Sequence, residues 1–114
     1  VDVVTVRRGE VHLVRLDPTE GHEIQKTRPC LLVSPDTLNA HLATVIVVPL
    51  TTGSHPAPWR VPCRFQRRAG LLVLDQIRTV DRRRLVQRLG RLPAETVTAV
   101  LETLQTLFAV APEV

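Results

Sequence analysis

The sequence predicts a mainly β, α+β fold: a small twisted barrel or half-barrel of short strands, finished by one C-terminal α-helix. Three observations carry that expectation. Apolar runs of strand length, separated by turn formers, fill residues 10–89. The one clear helical periodicity comes last, over residues 93–108. Between them no strand alternates with a helix in the βαβ manner. At 114 residues the chain is one domain, and 44% hydrophobic content is enough for a core without disulfide staples.

Taken in order, residues 1–8 read as an N-terminal tail, residues 9–110 as the domain and residues 111–114 as a C-terminal tail. Residues 10–16 form a first strand. Asp17-Pro18-Thr19-Glu20-Gly21 is dense in turn formers and opens a loop that runs to Thr27. Residues 28–34 form a second strand, continuously apolar at its centre, as for a strand covered on both faces. Pro35 and Asp36 stop it, with Asp36 as the cap of a helical turn over residues 37–39. Residues 43–50 are β-branched and form a third strand.

Gly53, Pro56 and Pro58 break the chain into a second loop over residues 51–58. Residues 59–65 make a strand that Pro62 pushes to a sheet edge. Arg67-Arg68-Ala69-Gly70 is a turn, followed by strands at 71–74, 76–80 and 84–89. Pro93 starts the helix and Glu95 complements its N-terminal dipole. Val97, Val100, Leu101, Leu104, Leu107 and Phe108 make one apolar stripe that packs on the core.

The net charge is +4, and Lys26 is the one lysine among fifteen basic residues. That balance favours a polyanionic partner, and the planar guanidinium fork suits phosphate. Aromatic content of 3%, with no Tyr, speaks against readers that stack bases on exposed rings. Cys30 and Cys63 do not make a secreted disulfide framework, and Cys30 reads as a small buried hydrophobe. No signal-like segment and no apolar run of the ~20 residues needed to span a bilayer is present, so the expected setting is cytoplasmic, without a membrane.

There is no Gly-rich phosphate loop, no paired CxxC site and no Gly-x-Ser-x-Gly elbow. His12, His22, His41 and His55 are scattered, so no metal or cofactor is expected. What remains are two polar loops. The first holds Asp17, Thr19, His22, Glu23, Gln25, Lys26 and Arg28; the second holds Thr51, Thr52, Ser54 and His55. In a small barrel two such loops can meet at one mouth. Read alone, Arg28 is a surface ion-pair partner of Asp17 or Glu20, and Thr51 is an ordinary turn residue.

An ordered set of motifs changes that reading. Arg8-Gly9-Glu10-Val11, Leu16-Asp17-Pro18-Thr19, Gly21-His22-Glu23, Arg28-Pro29, Val48-Pro49-Leu50-Thr51-Thr52 and Leu74-Asp75-Gln76-Ile77-Arg78-Thr79-Val80 together resemble the MazF/PemK toxin family. The resemblance spans residues 8–108. It implies the SH3-like barrel with a C-terminal helix shared by MazF and CcdB proteins. It also implies a homodimer, metal-independent cleavage of single-stranded RNA, and a cognate antitoxin that blocks it. His12 stands where the family often has Trp, which alters first-strand packing.

The resemblance makes Arg28 and Thr51 catalytic, with Glu23 as a helper that orients Arg28 or takes a proton. A guanidinium stays protonated, so Arg28 is a charge stabiliser and a poor base. His22, Lys26, Thr52, Gln76 and Arg78 are the expected RNA contacts, with Gln76 facing a base. The run Arg82-Arg83-Arg84 is a further phosphate candidate, and Trp59 is expected in the core or at a dimer contact. Two other functions compete on this fold. A CcdB-like gyrase poison depends on a C-terminal Trp, whereas this chain ends Ala111-Pro112-Glu113-Val114. An SH3-like peptide-binding module needs an aromatic groove, for which two Phe and one Trp are little material.

Overall fold

The computed structural model describes residues 5–111; the expected C-terminal tail, beyond Ala111, lies outside the described residues. The strands are β1 (Glu10–Arg15), β2 (Thr27–Leu32), β3 (Thr44–Thr51), β4 (Arg60–Phe65), β5 (Arg68–Val73), β6 (Arg78–Asp81) and β7 (Leu85–Arg91). Two helices, α1 (Asp36–His41) and α2 (Ala94–Leu107), interrupt and finish the chain. All strand pairs are antiparallel, in the order β4-β5-β3-β2-β1-β7, with β6 beside the first half of β3. β4 is an edge, where Pro62 costs no ladder hydrogen bond. The sheet curls until its edges meet: a Cβ added to Gly90 of β7 would lie 3.3 Å from the Phe65 ring of β4. The result is a half-barrel with a C-terminal helix, as expected.

β2 and β3 are covered on both faces, which explains their unbroken apolar centres. Leu31, Val33 and Val48 face a core shared with Leu72, Leu74 and Val100 of α2. Cys30, Leu32, Val45 and Val47 face a second cluster with Val14, Leu16 and Val80. Burial, opposed by the Arg78 charge, pushes the Cys30 thiol up to about 12, so it stays a protonated core group.

Several local expectations need correction. The N-terminal tail does not extend to residue 8: Val6 is buried, Arg7 N donates to Glu10 Oε1 and Arg8 N donates to Asp36 Oδ1. Residues 1–4 lie outside the described residues. Asp36 is therefore not the cap of α1; Pro35 takes that position, and the Asp36 carboxylate anchors the incoming chain. The turn before β5 is a two-residue hairpin of Gln66 and Arg67, both at positive φ. No glycine announces it, so pattern reading placed the turn two residues late. Gln76 belongs to a 3-10 turn, Leu74–Gln76, and not to a strand. Trp59 is 43% exposed just before β4, outside the core.

Candidate active site

Register sets the two leading residues at the same end of neighbouring strands β2 and β3. Val14 of β1 pairs with Arg28 of β2, Cys30 pairs with Pro49, and Thr51 of β3 pairs with Leu71 of β5. Continuing the β2–β3 register by one repeat sets Arg28 opposite Thr51, on the same face as Cys30 and Pro49. This row lies where the β2–β3 ladder opens, below the loop between β1 and β2. Gly70 lets β5 approach there: an added Cβ would stand 3.1 Å from the Thr51 carbonyl oxygen.

Arg28 is half-buried and donates from Nε to Gln25 O at 3.2 Å. Among the described residues it makes no ion pair, neither with Asp17 nor with Glu20. One N–H thus holds the guanidinium in place while its terminal amino groups stay available. The Thr51 hydroxyl accepts from Gly53 N at 3.2 Å. With a lone pair so occupied, its hydrogen is the part left to donate.

Beside this row is a 350 Å³ cleft lined by His22, Glu23, Ile24, Pro49, Asp75, Gln76, Ile77 and Arg78. Pro49 joins the two, since it lies one repeat from Thr51 along β3. Glu23 is turned toward its own loop, where Oε1 accepts from Glu20 N at 2.7 Å; no ion pair joins it to Arg28. Arg78 donates from Nη1 to Leu16 O at 3.1 Å and is part of the cleft lining. Lys26 and Thr52 are exposed on the two flanking loops. Gln76 has both ends of its amide engaged with the first loop.

The arginine run is built into the scaffold. Arg82 donates to the Leu42 and Asn39 carbonyls, Arg83 pairs with Asp81, and Arg84 donates to the Arg15 and Asp17 carbonyls. Sequence reading missed the partners of Arg82 and Arg84 because they are backbone carbonyls, which carry no sequence signature; Arg83 stays exposed beside Asp81.

The fold is shared with proteins of known structure. A family described as the PemK-like, MazF-like toxin of type II toxin-antitoxin systems matches residues 7–108. The chain belongs to the PemK/MazF toxin family. It is 40% identical over 108 residues to the endoribonuclease PemK of Escherichia coli, covering 90% of this chain and 81% of that protein. It is 33% identical over 90 residues to the endoribonuclease MazF of Staphylococcus epidermidis, covering 74% of this chain and 75% of that one. Among solved structures, MazF from Deinococcus radiodurans superposes with a TM-score of 0.83 at 24% identity, covering 95% of this chain and all of that one, which supports the fold. A mycobacterial endoribonuclease in complex with its cognate antitoxin superposes with a TM-score of 0.77 at 28% identity, over 94% of this chain and 99% of its own.

Proposed function

We propose that this PemK/MazF-family toxin is an endoribonuclease that cuts single-stranded RNA, mRNA included, through the Arg28–Thr51 row. The observation that carries the reading is the Arg28 fork, tethered by one N–H and without an ion pair among the described residues, at the same end of β2 and β3 as a Thr51 hydroxyl with its hydrogen left to donate. In the proposed step the RNA 2′-oxygen bonds to its own phosphorus and the bond from phosphorus to the 5′-oxygen breaks. The products carry a 2′,3′-cyclic phosphate and a 5′-hydroxyl. Arg28 binds two phosphoryl oxygens as charge grows on them, and Thr51 donates to one of them.

The proton leaving the 2′-hydroxyl needs an acceptor. Glu23 lines the cleft with Oε2 unshared and is the proposed base, with His22 beside it, and a solvent water gives the departing 5′-oxygen the proton that completes the 5′-hydroxyl. Lys26, Thr52 and Arg78 provide phosphate and sugar contacts along the strand.

Two partners belong to the same reading: a cognate antitoxin and a second copy of the chain. They fit the exposed apolar side chains Val86, Leu107 and Phe108, the last 69% exposed. No helix in the described residues is long and apolar enough to cross a membrane. A gyrase poison or a passive binding module has no use for the open fork at Arg28.

The reading is tested by incubating a long single-stranded RNA with the protein in excess EDTA. Cuts at a few recurring short sites, each leaving a 5′-hydroxyl end, are the expected result. Intact RNA at every salt concentration rules the proposal out. Thr51→Val should lower kcat/KM by about tenfold to a hundredfold, the worth of one hydrogen bond to a charged group, while Thr51→Ser keeps most of the rate. Equal rates for wild type and Thr51→Val would remove Thr51 from the mechanism. Glu23→Gln should flatten the acidic limb of the pH–rate profile; a profile overlaying wild type excludes Glu23 as base.

A further inference from the structure

The 3-10 turn Leu74–Gln76 is the point at which both polar loops are fastened to the sheet. Asp75 reaches toward the loop between β3 and β4. Its two carboxylate oxygens accept from Arg60 Nε and Nη2, each at 3.2 Å, and Arg60 Nη1 donates to His55 O at 3.0 Å. Backbone bonds reinforce the link, from Leu74 N to Trp59 O at 3.3 Å and from Arg60 N to Ala57 O at 3.0 Å. A two-pronged guanidinium–carboxylate pair fixes direction as well as distance.

Gln76 reaches the other way. Its Oε1 accepts from Ile24 N and its Nε2 donates to His22 O, both at 3.0 Å, across 52 and 54 residues of sequence. One amide orientation alone satisfies both, since a backbone N–H must meet the oxygen and a carbonyl must meet the NH2 group. Adjacent side chains of one short turn therefore hold two loops that have no ladder connecting them. His22 and Ile24 of the first loop and Asp75 and Gln76 of the turn are all on the cleft wall, so the spacing between that loop and the turn sets the width of the cleft, and Arg60 fixes the Asp75 side of it.

From this geometry we infer that Asp75 and Gln76 form a double latch that positions the two loops and so determines which bases the cleft accepts. The inference rests on the endoribonuclease reading above. Gln76 is a positioning residue here and not a reader of bases; Arg60 acts through Asp75 from outside the cleft. A cleft of fixed width discriminates by excluding wrong bases, and a loosened one admits them. Releasing either loop should therefore relax selectivity at several positions of the cut motif at once.

The test compares wild type, Gln76→Met, Gln76→Glu and Arg60→Met by two readouts. One is amide hydrogen exchange at Ile24. The other is cleavage of an RNA pool holding the preferred site and all its single-base variants. Gln76→Met should expose the Ile24 amide to exchange and lower kcat/KM at the preferred site by about tenfold, the worth of one or two net hydrogen bonds. Cleavage of variant sites should rise relative to the preferred one at several positions. Arg60→Met should relax the profile in the same way although it touches no base. Gln76→Glu keeps an acceptor for Ile24 N, so it should protect that amide and retain part of the selectivity.

An unchanged profile in Gln76→Met overturns the latch. So does relaxation at a single motif position with Arg60→Met indistinguishable from wild type, because that pattern belongs to direct base contact by Gln76. Wild-type protein that cuts no RNA defeats the endoribonuclease reading before any substitution is made, and the selectivity inference falls with it.

Discussion

Arg28→Ala should abolish site-specific cleavage, lowering kcat/KM by about a thousandfold, the scale seen when a positioned donor to a developing oxyanion is removed. The argument is one of position and of partners. Extending the β2–β3 register one repeat past Cys30–Pro49 aligns Arg28 with Thr51, and the one hydrogen bond of the Arg28 guanidinium among the described residues, to Gln25 O, uses Nε. Its terminal amino groups are uncommitted, so substrate phosphate meets a fork that need not first break an ion pair. Loss of the fork should therefore appear in kcat more than in KM, since the charge it meets grows during the reaction.

Arg28→Lys separates charge from shape. A lysine keeps the positive charge but presents a point donor in place of two parallel N–H groups. It should recover part of the loss and remain about tenfold to a hundredfold below wild type. Stability should move by less than about 0.5 kcal/mol in either variant, because no buried partner is orphaned. Single-turnover cleavage and thermal unfolding measured on the same preparations check both halves. A folded Arg28→Ala protein within tenfold of the wild-type rate would show that the phosphate is stabilised elsewhere.

The elements that were legible in the sequence are those whose signal is local. β3 announces itself through β-branched residues, the edge position of β4 through Pro62, and α2 through the stripe from Val97 to Leu104 that packs on the core. Arg28 and Thr51 were singled out by ordered motifs, and the register sets them at the same end of β2 and β3. What sequence reading lost depends on partners distant in the chain. Gln76 reads as a base contact because its amide can donate and accept; only the fold shows that one N–H and one lone pair of it hold His22 and Ile24. Arg82, Arg83 and Arg84 looked like a phosphate track, yet their partners are carbonyls of remote loops and the neighbouring Asp81. The hairpin at Gln66 and Arg67 reaches positive φ with residues that do not advertise it.

Glu10→Ala should cost about 3 kcal/mol of folding stability, or about 10 °C in Tm, without altering the chemistry at Arg28. Glu10 is among the few buried charged groups of the fold, with 7% of its side chain exposed. Its Oε1 accepts from Arg7 N and from His12 Nε2, each at 3.0 Å, and its Oε2 meets Arg88 Nε at 3.0 Å. Truncation would leave a buried imidazole N–H and a backbone N–H without their acceptor, which is the costly side of a buried pair. Burial alone would raise this carboxyl, but the His12 hydrogen bond, the Arg7 N–H and the Arg88 charge outweigh it and hold it below its ordinary value of 4.5. A depressed carboxyl stabilises the fold fully above its unfolded pKa and loses that contribution as pH falls through the folded value. The gap in stability between wild type and Glu10→Gln should thus be widest near neutral pH and shrink below about pH 4.5. Denaturant unfolding at a series of pH values reads the gap directly; a constant gap down to acid would show that packing, and not charge, keeps Glu10 in place. Glu10 pairs with Arg91 at the opposite end of β1 from the Val14–Arg28 pair, so cleavage at low temperature should survive this substitution. The two variants therefore part company: one removes the reaction from a stable fold, the other weakens the fold around an intact reaction.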